Sequence, residues 1–67
     1  MSEYAILQHF QFDHLPEDLQ AVSKPFCLLA REMASTLPGC AETSAGLRKL
    51  LEAKDCAVRA ALEGKRT

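Results

Sequence analysis

The run of residues 43–62, with the sequence TSAGLRKLLEAKDCAVRAAL, constrains the fold more than any other part of the chain. It contains no proline and consists almost entirely of strong helix formers. Thr43 or Ser44 is the candidate N-cap, and Gly64 lies where a glycine commonly ends a helix. The run therefore predicts one helix about 30 Å long.

This predicted helix is apolar over an unusually wide part of its surface. A helix packed against one partner needs an apolar stripe only somewhat over ~100° wide. Here two adjacent rows are apolar, so we expect the helix to be buried against more than one neighbour. The row of large residues is Leu47, Leu50, Leu51, Val58, Ala61 and Leu62, and the row of small ones is Gly46, Leu50, Ala53, Ala57 and Ala60.

A second helix is predicted over residues 15–37. Pro25 falls inside it, but the apolar positions stay in phase across the proline, which favours one kinked helix over two separate ones. Pro38-Gly39 then ends the helix, and the short connection predicts an antiparallel hairpin. The apolar seam of this helix is Leu15, Leu19, Val22, Phe26, Leu29, Met33 and Leu37.

Residues 1–14 form a predicted N-terminal arm that precedes a hairpin domain at residues 15–64. The arm holds three of the four aromatic residues, Tyr4, Phe10 and Phe12. Periodicity leaves a short strand, a short helix and an extended segment equally open. The aromatic rings either cover the end of the hairpin core or stack on a flat ligand.

The small size of the chain favours self-association. A chain of 67 residues buries only about 60% of its unfolded surface, and such scaffolds usually need disulfides, a metal or oligomerisation. A lone hairpin cannot bury both apolar rows. The predicted fold is therefore all-α: an antiparallel helical hairpin with a short N-terminal arm, assembled into a compact homo-oligomeric helical bundle.

The cysteines predict neither a disulfide framework nor a metal site. Cys27, Cys40 and Cys56 are odd in number, contain no Cys-x-x-Cys pair and lie far from His9 and His14. Cys27 and Cys56 are expected to be small packing residues.

Charge and composition exclude several function classes. The net charge of −1 is a poor basis for holding a long nucleic acid. No stretch resembles a signal peptide or a membrane span, so we expect a cytoplasmic protein without a membrane partner. The sequence contains no phosphate loop, nucleophile motif or metal motif, so neither an enzyme nor a cofactor is expected.

Binding of a small anion is the chemistry that remains. Each cation has a simpler interpretation as a solvated charge, and Arg48, Glu52, Asp55, Arg59 and Glu63 can form a salt-bridged stripe. A cation near a symmetric seam is repeated by every subunit, so a net-acidic protein can still build a basic pocket. The candidate anion contacts are Lys24, Arg48, Lys49, Lys54 and Arg59.

Two short motifs resemble a known family. The start Phe12-Asp13-His14-Leu15 and the run LRKLLEA at residues 47–53 resemble the hairpin domain of phage anti-defence nucleotide sponges, the anti-CBASS and anti-Thoeris proteins. The similarity covers roughly residues 12–62. The resemblance implies helical hairpins in compact oligomers, often hexamers. These hold cyclic oligonucleotides or cyclic ADP-ribose signals between protomers without cleaving them.

The resemblance also implies roles for individual residues. Phe12 matches an aromatic that stacks on a base, although a tyrosine is expected there, and Arg59 is similar to a late-helix arginine that holds phosphate. The resembled family has a lysine in its first helix, and Lys24 is the cation of this chain nearest to that position in sequence. Strict alignment places Phe26 or Cys27 there instead. With Arg48 and Lys49, these residues form the predicted ligand-binding set.

The leading prediction is thus a phage-type sponge that sequesters a cyclic di- or trinucleotide, or a cyclic ADP-ribose type signal, in the cytoplasm of an infected bacterium. The alternative is a small helical oligomerisation or adaptor module whose second helix docks in a groove of another protein. The sponge requires Phe12 and Arg59 to line a pocket between subunits, and the adaptor does not.

Overall fold

The computed structural model describes residues 4–66 of the chain, with side chains through Gly64, and all of its regular structure is helical. A 3₁₀ helix at Ala5–Phe10, here called the arm helix, precedes α1 at Glu17–Thr36 and α2 at Ala41–Arg66. No strand occurs within residues 4–66, which confirms the all-α class. The two α-helices pack against each other in a hairpin-like arrangement, and the arm helix contacts both. The predicted arm also includes residues 1–3, which lie outside the described residues.

The arm is a short helix, which is one of the three conformations that periodicity left open. In a 3₁₀ helix, side chains three residues apart lie directly above one another. Tyr4, Leu7 and Phe10 form one such row, which faces inward and ends at the fully buried Phe10. Ala5 and Gln8 lie on a second, exposed row that Gln11 continues beyond the helix.

Helix α1 begins immediately after Pro16. The carbonyl of Pro16 accepts hydrogen bonds from the amides of Leu19 and Gln20, each at 2.9 Å. Glu17 and Asp18 place negative charge in the first turn, where the helix dipole favours it. The helix then continues through Pro25 to Thr36, so the prediction of one helix is confirmed. It ends where Leu37 becomes extended, as a residue before a proline usually is.

The buried face of α1 is displaced from the predicted seam. Leu29 and Leu37 of that seam are 46% and 45% exposed, so both predicted core positions are wrong. Small residues face inward instead, because they let the two helix backbones approach closely. The fully buried positions of α1 beyond Leu19 are Ser23, Cys27 and Ala30.

Helix α2 exceeds its predicted bounds at both ends. It begins at Ala41, and the amide of Ser44 donates to the Cys40 carbonyl at 3.1 Å, so Thr43 is not the N-cap. Thr43 is buried, and its hydroxyl donates to the Pro38 carbonyl at 2.7 Å. The helix also continues past Gly64. No described glycine adopts the positive φ that a glycine cap requires, so Gly64 does not end the helix.

The core lies where all three elements meet. Phe10 of the arm helix, Cys27 and Ala30 of α1, and Leu47 of α2 form one buried cluster. Helix α1 comes close at Gly46, where a Cβ would stand 3.3 Å from the Met33 methyl carbon. The packing role predicted for Cys27 is confirmed. Partly buried side chains packed around the cluster are Tyr4, Ile6, Leu7, Phe12, Phe26, Met33, Leu50 and Leu51.

Several apolar side chains remain outside this core. Leu28 and Leu62 are 55% and 43% exposed, and Cys56 is exposed, so the packing role predicted for Cys56 is wrong. Of the predicted small row on α2, Ala53 and Ala60 face solvent. Within residues 4–66, no helix combines the length and the apolar content needed to cross a bilayer.

Candidate functional site

A cleft separates the arm helix from the second half of α1. Its volume is about 610 Å³, within the range usual for small-molecule sites. Among the described residues, its walls come from the arm segment and from α1. The lining residues are Tyr4, Ala5, Leu7, Gln8, Gln11, Arg31, Ala34 and Ser35.

Local helix geometry explains why these side chains share the cleft. Gln8 and Gln11 are three residues apart, which places them in line along the arm segment. Arg31 and Ser35 are four residues apart on α1, so they lie one above the other on the same face. Each wall therefore presents a row of polar groups, and Leu7 and Ala34 add apolar surface.

Arg31 is the only cation among the described residues that line the cleft, and the lining contains no carboxylate. On a helix, a charged side chain pairs with residues three or four positions away. For Arg31 those positions are Cys27, Leu28, Ala34 and Ser35, none of them acidic. Its guanidinium accordingly makes no ion pair or hydrogen bond within the described part of the chain.

Tyr4, at the start of the arm, is one of the residues that line the cleft. Its hydroxyl oxygen is buried without a hydrogen-bond partner among residues 4–64, and it stands 3.6 Å from where a Cβ on Gly39 would be. An unpartnered buried hydroxyl costs about 1–3 kcal/mol. Packing of the ring against the core, rather than its hydroxyl, therefore holds this end of the arm.

Lys54 attaches the other end of the arm to α2. Its ammonium group donates to the His9 carbonyl at 2.9 Å and lies 3.3 Å from the Asp55 carboxylate. The Lys54 side chain is only 12% exposed. Lys54 was among the candidate anion contacts, but the structure gives it a structural partner instead.

The predicted ligand-binding residues are spread over the molecule, and none of the five lines the cleft. Phe12 lies between the arm helix and α1, is half-buried and packs against the core cluster. Lys24, Arg48 and Lys49 are exposed. Arg59 is also exposed, and its guanidinium donates to the Cys56 sulfur at 3.4 Å.

The predicted salt-bridged stripe on α2 is not formed as expected. Arg48 has no ion-pair partner in the described part of the chain, and Asp55 of the stripe pairs with Lys54, which lies outside it. Arg48 therefore keeps its full charge available for a ligand or for water.

The exposed Cys40 thiol has unusual electrostatics. Hydrogen bonds from the Thr43 hydroxyl and from the backbone amides of Thr43 and Glu42 hold its pKa below the usual value. The Thr43 hydroxyl has a single hydrogen, however, and donates it to the Pro38 carbonyl at 2.7 Å, while the Cys40 sulfur lies 3.5 Å away. We therefore assign the lowered pKa mainly to the two amides at the start of α2.

Sequence reasoning missed the cleft residues Gln8, Gln11 and Arg31. A signal for the glutamines exists, because apolar residues at positions 4, 7 and 10 imply a row of three-residue spacing with Gln8 and Gln11 beside it. For Arg31, the signal was the lack of any acidic residue one turn away.

Neither a metal site nor a known relative adds to this description. Among the described residues, no group of three or more His, Cys, Asp and Glu side chains is placed to hold a metal ion. Comparison of the chain with protein-family models, with curated proteins and with solved structures finds no match.

Proposed function

We propose that this protein binds and sequesters a cyclic di- or trinucleotide, or a cyclic ADP-ribose type signal, without cleaving it. One observation carries the proposal. Lys24, Arg48 and Lys49 are exposed on the two α-helices, and none has a hydrogen-bond or ion-pair partner in the described part of the chain. Unpaired lysines and arginines are the side chains that bind phosphate groups.

The resemblance to phage nucleotide sponges supports the same ligand class. Its first motif, at residues 12–15, lies at the junction between the arm and α1, and its second, at residues 47–53, lies in the part of α2 that contacts the core. Both motifs thus belong to one hairpin-like body, as the resemblance implies. On this proposal the protein acts in the cytoplasm of an infected bacterium.

Assembly is part of the proposal, because one protomer leaves its cations apart. Leu28, Leu29 and Leu62 are between 43% and 55% exposed, which gives the protomer apolar surface for a second copy. Around a two-fold or three-fold axis, one exposed cation becomes two or three. Such a pocket would match the internal symmetry of a cyclic di- or trinucleotide. A hexamer is the assembly that the resemblance favours.

Phe12 and Arg59 are the residues that the proposal places in this pocket. Phe12 is half-buried, so part of its ring surface remains open to a base, and Arg59 is exposed on α2. The weak contact of Arg59 with the Cys56 sulfur is easily exchanged for a phosphate oxygen, because charge-assisted bonds to phosphate are considerably stronger.

Native mass spectrometry of the full chain tests the proposal. The purified protein would be measured alone and with a panel of cyclic dinucleotides, cyclic trinucleotides and cyclic ADP-ribose isomers. We expect a defined oligomer that retains one ligand, uncleaved, at a fixed ratio to its subunits. A monomer, or an oligomer that binds none of the panel, would overturn the proposal.

Matched variants test whether Arg59 contacts the ligand in the proposed pocket. Loss of one charge-assisted contact costs about 1.5–3 kcal/mol, so Arg59→Gln should weaken ligand binding roughly tenfold or more. Arg59→Lys should retain part of the affinity. Arg31→Gln removes another exposed arginine, which is not among the five predicted residues, and it should leave cyclic nucleotide binding unchanged. Equal losses in Arg59→Gln and Arg31→Gln would indicate a nonspecific charge effect.

An adaptor module is the second candidate, and the exposed leucines favour it. Leu62 near the end of α2 and Leu28 on α1 offer an apolar surface that a groove in another protein can accept. A defined oligomer that ignores every cyclic nucleotide would move the assignment to this function.

A further inference from the structure

The cleft beside the arm helix carries one positive charge. Arg31 is its cation, and no described residue of the lining is acidic. A guanidinium binds a carboxylate through two parallel hydrogen bonds, and its single positive charge balances the single negative charge of the carboxylate. A phosphate monoester carries about −1.5 to −2 at neutral pH, so one arginine would leave it undercompensated. The charge count therefore favours a carboxylate.

The opposite wall presents two free carboxamides. The side-chain amides of Gln8 and Gln11 have no partner among the described residues, and each offers both a donor and an acceptor. A carboxamide pairs well with a planar edge that carries a donor next to an acceptor, as nucleobase edges do. This wall therefore suits a flat, amide-like or heteroaromatic ring.

Ser35 adds a group of defined polarity next to Arg31. Its hydroxyl hydrogen is directed to the Glu32 carbonyl at 3.1 Å, so its oxygen faces the cleft as an acceptor. An acceptor here suits a ring N–H of the ligand and does not suit a second anionic oxygen. The polarity of the site thus again limits the ligand to one anionic group.

The spacing of these groups limits the ligand to a small one. Gln11 directly follows the arm helix, so it lies about 6 Å from Gln8 along the arm, and Arg31 and Ser35 are about 6 Å apart along α1. A single ring with one carboxylate matches these separations and occupies only part of the 610 Å³ cleft. A cyclic dinucleotide carries two phosphates, whose negative charge exceeds what Arg31 alone compensates.

We propose that this cleft is a binding site for a small planar carboxylate, with the carboxylate on Arg31 and the ring edge on Gln8 and Gln11. The site lies within one protomer and is separate from the five residues of the proposed sponge pocket. Because the ligand contacts both the arm helix and α1, its binding also holds the arm against the helix. The proposal for this site does not depend on whether the protein binds a cyclic nucleotide.

Titration of the ¹⁵N-labelled full chain, followed by NMR, tests the site. The probes are orotate and nicotinate as planar carboxylates, and UMP and AMP as ligands with similar rings but a phosphate. We expect orotate or nicotinate to shift the side-chain amide signals of Gln8 and Gln11 and the Nε–H signal of Arg31, with saturation at one ligand per protomer. Neither nucleotide should bind as tightly.

Variants separate this site from nonspecific attraction. Arg31→Gln should raise the dissociation constant of the carboxylate at least about tenfold. Gln8→Ala should raise it by a smaller factor, and both side chains are exposed, so neither variant should disturb the fold. Arg48→Gln, which removes an exposed and unpaired arginine outside the cleft, should have no effect.

The assignment would be overturned by saturation with no shift at Gln8, Gln11 or Arg31, by equal weakening in Arg31→Gln and Arg48→Gln, or by tighter binding of a nucleotide than of either carboxylate. Absence of binding by all four probes would also contradict it. None of these results depends on whether the chain retains a cyclic nucleotide.

Discussion

The two ends of the hairpin-like body are built differently. Near the connection between the helices, the arm helix forms a third element, and Phe10, Ala30 and Leu47 are completely buried there. Beyond Lys54, the described part of α2 has no fully buried residue, and Leu62 is 43% exposed. Both ends are rich in apolar residues, so composition does not explain the difference.

The difference shows what a third element contributes. An α-helix with its side chains is about 10 Å across, and the described body measures 43 by 19 by 15 Å. It is therefore two helices wide and only partly covered in its third dimension. Two helices packed only against each other leave much of the surface of each helix exposed. In the described part of the chain, the six residues of the arm helix add the third element that completes the core. The uncovered end therefore leaves apolar side chains such as Leu62 exposed.

Truncation of Phe10 should produce the largest effect. Phe10→Ala removes a completely buried ring and should cost about 3–5 kcal/mol, which is most of the stability of so small a domain. Leu62→Ala at the uncovered end should cost less than about 1 kcal/mol, since the side chain is already half-exposed. Urea denaturation followed by circular dichroism measures both.

The Leu62 variant also reports on assembly. Suppose that Leu62→Ala lost nearly as much free energy of unfolding as Phe10→Ala, and that this loss depended on protein concentration. The uncovered end would then be buried against another chain in solution. The contrast between the two ends would then hold only for the isolated protomer.

Enlarging the glycines of α2 should have opposite effects at the two ends. A Cβ on Gly46 would stand 3.3 Å from the Met33 methyl carbon, so Gly46→Leu should overpack the helix contact and cost about 1–3 kcal/mol. A side chain on Gly64 meets nothing within 4 Å, so Gly64→Leu should stabilise the helix by up to about 0.5–1 kcal/mol. Melting temperatures of the two variants compare them directly, and a stabilising Gly46→Leu would show that the helices are not closely packed there.

Loss of the Lys54 contact should release the arm with a moderate cost. Lys54→Met keeps the aliphatic stem but removes the bond to the His9 carbonyl, so about 1–2 kcal/mol should be lost. Hydrogen exchange should accelerate at residues 5–10 and remain unchanged in the middle of α1. Lys49→Met, at an exposed lysine without a partner, is the control and should change neither quantity. Uniformly faster exchange in Lys54→Met would instead mean that the arm and the helices open together.

Sequence reasoning identified the helices but misplaced the contacts between them. Helix formers and breakers predicted two α-helices and one continuous path through Pro25, because these preferences are local. The seam of α1 was wrong because it followed the largest apolar residues. The buried positions are instead the small residues Ser23, Cys27 and Ala30, and the face that a helix buries is decided by its neighbours in the packed structure.

The ends of α2 and the cleft show the same limit. Gly64 would end a helix if it adopted a positive φ, but the helix continues because one glycine costs only about 1 kcal/mol in its interior. The cleft requires the arm to lie beside α1, which no pattern within either segment encodes. By contrast, the lack of an acidic partner for Arg31 could be read directly from the sequence.

The smallest predicted effect concerns the Cys40 thiol, at the covered end of α2. Its pKa is lowered by hydrogen bonds to the thiolate, so ionisation is favoured in the folded state. Stability should therefore rise slightly as the pH increases from the folded pKa towards the usual thiol pKa, and this contribution is lost as the pH falls through the folded pKa. Alkylation by iodoacetamide should be faster at Cys40 than at Cys56, which is also exposed, near neutral pH, while the buried Cys27 should be protected.

The cause of the lowered pKa can be tested with Thr43→Ala. If the two backbone amides are the main cause, as the engaged Thr43 hydroxyl implies, the pH midpoint of Cys40 alkylation should stay below the usual thiol pKa. The variant should still lose stability, because the Pro38 carbonyl loses its donor. A midpoint that returned to the usual thiol value, in a variant that remained folded, would assign the shift to the hydroxyl. The start of α2 would then stabilise the thiolate through a side chain rather than through its backbone amides.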